Sequence, residues 1–573
     1  MSDQNIKKRA LSLLQKNDKK KLIFILFLTL LNTIFELVGI SLIIPILNYF
    51  INETNYTYLN TISFLSGLNK IELLIFILVI FNFIYFLKFI NSLILIFQKN
   101  KFSWNLYAAL SKNIFSIYLN KNFLVETEKK IAEKIQLIRG EANQFAFAVI
   151  MPTVDLIIEI ILFVSICVFL LYFNFKISFF VITFFIVLSF FWNKYYNDYL
   201  KILGKKRQKY SIGAIEEIQN SFGNFKETII YKLGPIFLRR FEYFNINNSN
   251  VGFKRDTITQ LPRLILEIIS ITAILLIILF LIKQENSLQE IFILIGVFVF
   301  ATVRMLPSVA KIIRSLQTIR YNNIVVDKIY SEINDNKLSE DTKIQKKNIK
   351  FENLELKQVT YSYPSNVSKN ILNKLNLRVV KGGHLGIIGE TGSGKSTLIN
   401  ILCGFININD GYINLNEVNL KDSIGEWQNI IGYVPHDVFI LNESLEYNIT
   451  FENEVSNKSK FAEILKKTEL ENFVNTLKEK EKTIIGERGG NLSRGQCQRI
   501  GLARALYKKP QILILDEATS ALDLNTERKI LENLYNKQSE FTIISISHRQ
   551  SSLEYCKRIL KIENGKLIEI RHS

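Results

Sequence analysis

Leu385-Gly-Ile-Ile-Gly-Glu-Thr-Gly-Ser-Gly-Lys-Ser-Thr-Leu-Ile-Asn-Ile-Leu402 decides the fold of the C-terminal part of this chain. Within it Gly389, Glu390, Thr391, Gly392, Ser393, Gly394, Lys395, Ser396 and Thr397 fit the pattern G-x-x-x-x-G-K-[ST]. The apolar run Leu385–Ile388 predicts a strand before the pattern, and Leu398–Leu402 predicts a helix opened by it. Both contexts are needed. The glycines let backbone N–H groups close on phosphates at a helix N-terminus, Lys395 reaches the β- and γ-phosphates, and the Ser396 hydroxyl ligates Mg²⁺.

About 120 residues further on, Ile512-Leu-Ile-Leu-Asp-Glu517 is an apolar strand ending in two carboxylates. A buried parallel strand that delivers Asp516 to the metal is the second half of a P-loop ATPase. Glu517 is placed to orient and deprotonate the attacking water. From residue 351 onward, short β-rich runs alternate with helical ones, which predicts an α/β domain over 351–573.

The rest of the chain has a different character. The 573 residues are 48% hydrophobic with 43 Phe, and the mean hydropathy is +0.17. Lys and Arg nonetheless exceed Asp and Glu by 71 − 52 = 19. Six apolar stretches, approximately 22–50, 71–97, 145–173, 177–193, 257–283 and 288–312, are each near the ~20 residues that cross a bilayer. The tail 1–21 holds seven Lys/Arg, 98–144 eight and 194–256 twelve, whereas 51–70 has Lys70 alone, 174–176 has Lys176 and 284–287 has none. This positive-inside pattern puts the N-terminus in the cytoplasm, and six spans return the ATPase half there. The expected domains are 1–320, a membrane domain whose helices continue as cytoplasmic stalks, a polar linker at 321–350, and 351–573. Residues 1–21 read as an amphipathic helix on the inner membrane face rather than a signal peptide, because the apolar run that follows is too long. Basic loops flanking apolar spans argue against nucleic-acid binding. Four scattered cysteines without a CxxC argue against a disulfide framework or a zinc site.

Around the ATPase residues the chain resembles the ABC transporters. Leu492-Ser-Arg-Gly-Gln496 resembles their signature, Ser520-Ala-Leu-Asp523 their D-loop, His548 the switch histidine, and Tyr363 the aromatic that stacks on adenine. Gly486-Glu-Arg-Gly489 resembles the loop that contacts the membrane domain in exporters. The resemblance implies an α-helical six-span membrane domain fused to an α/β ABC ATPase, with ATP and Mg²⁺ as ligands. It also implies a head-to-tail dimer, most simply a homodimer, in which Ser493, Gly495 and Gln496 of one copy close the ATP held by the other. Two positions depart from the family: Arg494 stands where Gly is usual in the signature, and His436 stands where Gln usually contacts Mg²⁺. A neutral His suits Mg²⁺ less well than an oxygen donor. His436 thus reads either as a metal ligand of altered preference or as a tolerated swap.

Charges within the spans are functional candidates by default. Lys88, Arg263 and Arg304 fall toward the cytoplasmic half and together suggest an anion site, although Arg263 and Glu267 at i, i+4 could satisfy each other. Ile34-Phe-Glu-Leu-Val-Gly-Ile-Ser-Leu-Ile-Ile-Pro45, Leu261-Pro-Arg-Leu-Ile-Leu-Glu267 and Val303-Arg-Met-Leu-Pro-Ser308 resemble the flippases of lipid-linked oligosaccharides in bacterial protein N-glycosylation. Their cargo carries a pyrophosphate that those cations could attract. The resemblance implies an ATP-driven translocase of the bacterial inner membrane. Another lipid, a drug or a peptide is the alternative cargo. The spans exclude a soluble ABC ATPase acting on DNA or ribosomes. Retention of Glu517 and His548 favours turnover over ATP-gated channel or receptor function, and import is disfavoured because importers generally carry the two parts on separate chains.

Overall fold

The computed structural model describes residues 3–51, 70–120, 130–283, 288–337, 349–364, 369–486, 490, 492–535 and 541–570. The chain divides into two compact units, one ending at Glu340 and the other running from Asp341 to Ser573.

The first unit is helical. Its elements are α1 (Asp3–Ser12), α2 (Lys16–Ile51), α3 (Lys70–Leu119), α4 (131–173), α5 (Phe175–Gly223), α6 (Gly234–Lys283), α7 (Leu288–Tyr321) and α8 (Asn323–Lys337). Among the described residues five helices are long and apolar enough to cross a membrane, within α2, α3, α4, α6 and α7. The expected fourth span, 177–193, lies within α5. At 50 residues, α3 and α6 are each about 75 Å long at 1.5 Å per residue. That is far more than the ~30 Å hydrocarbon core of a bilayer, the length long cytoplasmic extensions require. Within α4 the segments Gln136–Glu141 and Phe145–Ile150 are π-helical. Gln136, Glu141, Phe145 and Ala146 are buried there, and Arg207 of α5 reaches Glu141 at 2.9 Å.

Two expectations change in this unit. Residues 321–350 were expected to be a linker, and 323–337 of them form α8. Its charges hide an apolar stripe, Val325, Val326, Ile329 and Ile333, spaced by three and four residues and buried with Leu106, Leu110 and Phe145. Residues 1–21 are expected to lie as an amphipathic helix on the inner membrane face; Leu11 is exposed, whereas Ala10 of α1 and Leu14, just after it, are buried in the same cluster. Arg9 fixes that docking through Asp327 at 2.6 Å and lies over the Tyr330 ring at 5.1 Å.

The second unit contains a four-stranded antiparallel sheet, in the order Leu372–Val380 (β2), Asn353–Tyr361 (β1), Asp410–Leu415 (β4) and Val418–Asn419 (β5), and a six-stranded sheet that begins with Lys566–Ile570 (β10) and continues β9-β3-β8-β7-β6. The strands that matter for the site are β3 (His384–Gly389), β6 (Ile431–Val434), β7 (Ile512–Asp516), β8 (Thr542–Ile546) and β9 (Arg558–Glu563), all mutually parallel. Residues 512–515 and all of β8 are buried, the pattern of strands covered on both faces. Parallel strands deliver the loops after β3, β7 and β8 to one edge of the sheet, and β8 lies between the other two.

Candidate functional site

The loop after β3 turns into helix α9 (Lys395–Leu402) through Gly392 and Gly394, at φ +82° and +106°. A side chain at Gly389 would meet Ser393 Oγ at 2.6 Å and the Ile562 carbonyl at 2.9 Å, so the loop packs directly on β9. Gly394 caps α9 without a side-chain hydrogen bond, which leaves the first-turn N–H groups open to an anion. Ser393 Oγ is buried without a hydrogen-bond partner, as suits a hydroxyl waiting for a phosphate oxygen. Lys395 Nζ donates to the Gly389 and Glu390 carbonyls at 2.6 and 2.8 Å, so its charge already sits inside the loop. Burial holds its ammonium below the ordinary lysine range, while Glu517 and Asp516 pull the other way. Thr397 and Tyr363 meet at 3.2 Å between hydroxyls, and the Tyr363 ring packs edge-on against Tyr361.

Asp516 ends β7 half-buried. Desolvation and then the neighbouring charge of Glu517 raise its carboxyl above the usual carboxylate range. A divalent cation held by Asp516 and the Ser396 hydroxyl would relieve both effects, and on this ground the donor set fits Mg²⁺. Tyr433 donates to Asp516 Oδ2 at 3.4 Å. Glu517 takes φ +50°, a conformation that costs a non-glycine residue energy. His548, just past β8, brings Nε2 to 3.5 Å from Glu517 Oε1. His436 brings its Nε2 to 3.6 Å from Glu517 Oε2, so both histidines face the same carboxylate.

The signature segment opens helix α10 (Arg494–Tyr507) with a capping box: Gln496 N donates to Ser493 Oγ at 3.1 Å and Ser493 N donates to Gln496 Oε1 at 2.7 Å. Gly495 packs closely, since a Cβ there would lie 3.0 Å from the Ala521 carbonyl oxygen. Arg494 Nη2 lies 3.0 Å from Asp437 Oδ1 and 3.3 Å from His436 Nε2. Of the exporter-type loop at Gly486–Gly489, positions 487–489 lie outside the described residues.

Two residues given no role in the sequence reading hold this site together. Gln498, buried, donates to the Glu517 carbonyl at 3.3 Å and Ser520 Oγ at 3.1 Å and accepts from Ala521 N at 3.0 Å. Arg549 donates to the carbonyls of Ser520 and Leu522 and to Glu527, fixing the residue next to His548. Their signal was position alone, beside the signature and beside the switch histidine.

In the helical unit Lys88 and Arg304 both reach Glu36, the latter at 2.7 Å. Arg263 instead pairs with Glu267 at 3.0 Å on an exposed face. Asp155 and Glu159, in the apolar stretch 145–173, pair with Lys99 and, at 2.8 Å, with Lys311.

Residues 372–520 match the family model for ABC transporters. An ATP-dependent lipid A-core flippase of Coxiella burnetii is 37% identical over 218 residues, 38% of this chain and 37% of that protein. ABC transporter B family member 6 of Dictyostelium discoideum is 34% identical over 223 residues, 38% of this chain and 33% of that one. The matches thus span about a third of each relative. A bacterial Atm1-family ABC exporter solved with ATP bound has a TM-score of 0.78 against this chain, covering 96% of it and 94% of the exporter at 19% identity, which is a likeness of fold.

Proposed function

We propose that this protein is one half of an ATP-driven exporter that works as a homodimer in the bacterial inner membrane; the match of residues 372–520 to the ABC transporter family model and the likeness of fold to an ABC exporter support the reading. The observation that carries the reading is the convergence of the phosphate loop, the Asp516–Glu517 pair and His548 at the ends of β3, β7 and β8.

In the ATPase step the N–H groups of the loop and Lys395 bind the β- and γ-phosphates, and Tyr363 offers its ring to the adenine. Mg²⁺, when bound by Ser396 and Asp516, neutralises charge on the phosphate oxygens. Glu517 accepts the proton of the attacking water, whose oxygen forms the new bond to the γ-phosphorus as the bond to the leaving ADP breaks. His548 holds the Glu517 carboxylate toward that water. Ser493, Gly495 and Gln496 of the second copy complete the site at the N-terminus of α10, whose capping box keeps the helix start rigid.

The cargo we assign is an amphipathic lipid with an anionic head, specifically a lipid-linked oligosaccharide. Support comes from the meeting of Lys88 and Arg304, two cations on one carboxylate, and from the sequence likeness of the membrane half; a relative acting on lipid A-core fits the same class. Arg263, paired on an exposed face, has the weakest claim of the three cations. The test uses purified protein in liposomes, comparing ATPase rates with and without a polyisoprenyl-pyrophosphate oligosaccharide for the native chain and for Arg304→Ala. Stimulation lost in Arg304→Ala supports the assignment. Absence of stimulation in the native chain sinks it and favours another lipid, a drug or a peptide.

A further inference from the structure

A cavity of about 330 Å³ lies between the first turns of α2 and the middle of α3, both in the helical unit. Lys20 and Lys21 line it from α2 and Lys101 from α3, and among the described residues its lining contains no carboxylate to neutralise them. Gln98 and Asn105 add side-chain amides. The floor is apolar, with Ile25 and Phe102 only 1% and 3% exposed. Lys101 Nζ lies 5.7 Å from the centre of the Phe97 ring, a cation held over an aromatic face. Lys20 and Lys21 immediately precede the apolar stretch 22–50, and Gln98 and Lys101 immediately follow 71–97. With the N-terminus in the cytoplasm, α2 enters the bilayer where α3 leaves it, so the cavity sits at the polar boundary of the cytoplasmic leaflet. One turn deeper on either helix, Phe27 and Ile94 are exposed, as are Phe24 and Phe97 beside the cavity.

We propose that this cavity binds one anionic glycerophospholipid of the cytoplasmic leaflet. The phosphodiester sits among the ammonium groups of Lys20, Lys21 and Lys101, and the amides of Gln98 and Asn105 meet the hydroxyls of the headgroup. The acyl chains run into the bilayer along Phe24 and Phe27 on one side and Ile94 and Phe97 on the other. The volume is at the small end for a ligand pocket, room for a headgroup but not for its chains. Lysines that only mark topology can lie anywhere around the helix ends. Here cations from two helices converge on one concave site with an apolar floor, the arrangement that recognises a lipid headgroup. A zwitterionic lipid would bring its own cation against the lysines, and that repulsion selects for a net negative head. Once bound, the lipid bridges α2 and α3 at the cytoplasmic end of their spans.

The site depends on the topology read from loop charge, and not on the ATPase or cargo readings. The full-length chain in neutral detergent is titrated with dioleoylphosphatidylglycerol or with dioleoylphosphatidylcholine, and bound lipid is counted by native mass spectrometry. Phosphatidylglycerol is expected to fill one site per chain at least about fivefold more tightly than phosphatidylcholine. Replacing all three lysines together, Lys20→Gln, Lys21→Gln and Lys101→Gln, should weaken it by about tenfold or more. Lys→Arg at the same three positions keeps the charge and should hold the Kd within about twofold. A control variant, Lys205→Gln, Lys206→Gln and Lys209→Gln, removes as much charge from exposed positions of α5 and should also stay within about twofold. Equal affinity for the two lipids, or native affinity in the first triple variant, would overturn the proposal. So would an equal loss in the α5 variant, which would reduce the effect to the overall charge of the chain. Displacement of phosphatidylglycerol by excess inorganic phosphate would make the cavity a site for soluble anions and would overturn it as well.

Discussion

Arg304 of α7 donates through Nη2 to Glu36 Oε2 of α2 at 2.7 Å, although 268 residues separate them. Lys88 of α3 reaches the same carboxylate, so one buried acid ties three membrane helices together. Two cations on one carboxylate leave a formal charge of +1 in an apolar setting. Such a cluster can both hold helices together and attract an anion.

Removing the acid tests the first role. Glu36→Gln leaves two cations without their counter-charge and is expected to destabilise the helical unit by about 3–5 kcal/mol. Thermal unfolding in detergent measures this, and an unchanged midpoint would refute the structural role of Glu36.

Glu517→Gln keeps the shape of the side chain and removes its basicity. Turnover should fall by about 10²-fold or more, with ATP binding retained and ATP-bound dimers accumulating. Phosphate release and sizing in ATP report both, and undiminished hydrolysis would remove Glu517 from its role.

For Asp516 the prediction concerns pH. Its carboxyl is raised by burial and by Glu517, so the native state holds its proton more tightly than the unfolded chain does. The stability linked to that proton is present at acid pH and is lost as pH rises through the folded value. Asp516→Asn, which never ionises, should therefore gain more stability over the native chain at pH 7 than at pH 4, measured without metal or nucleotide. Mg²⁺-dependent turnover should vanish in the same variant. Equal gains at both pH values would contradict the account.

Gln498→Ala removes the donors and acceptor that hold Ser520 and Ala521. Leaving those groups unpaired is expected to cost about 1–3 kcal/mol, and hydrolysis should slow while ATP affinity stays near native. Equal loss of affinity and rate would show that Gln498 supports the whole domain instead of the D-loop.

Ile329→Ala tests α8. A fully buried Ile in this stripe should contribute about 2–5 kcal/mol, whereas a linker residue would contribute almost nothing. Denaturant unfolding of the full chain distinguishes the two.

The ATPase half was readable because its chemistry is local. Phosphate binding needs glycines at positive φ within a few residues of a strand end, and such spacing is written directly in the chain. The spans were readable through apolar length and loop charge. What escaped depends on distance or on averages. Arg494 and His436 are each odd alone, and only the fold shows that they are neighbours. Lys88 and Arg304 could be grouped by depth, but Glu36 as their shared partner could not. The apolar stripe of α8 is concealed by its charges, because an average over a charged helix hides a spacing of three and four residues. The π-helical segments of α4 carry no sequence mark at all.

Strand β3 lies between β8 and β9, pairing Leu385 with Ile544 and with Arg558. These partners are 544 − 385 = 159 and 558 − 385 = 173 positions later in the chain. A growing polypeptide therefore carries the complete phosphate-loop sequence for some time before the strands that shape it exist. At about 5–20 residues per second that interval is roughly 10–30 s. All six apolar stretches have been made by then. The order of synthesis thus separates the making of the apolar helices from the closing of the sheet that shapes the phosphate loop.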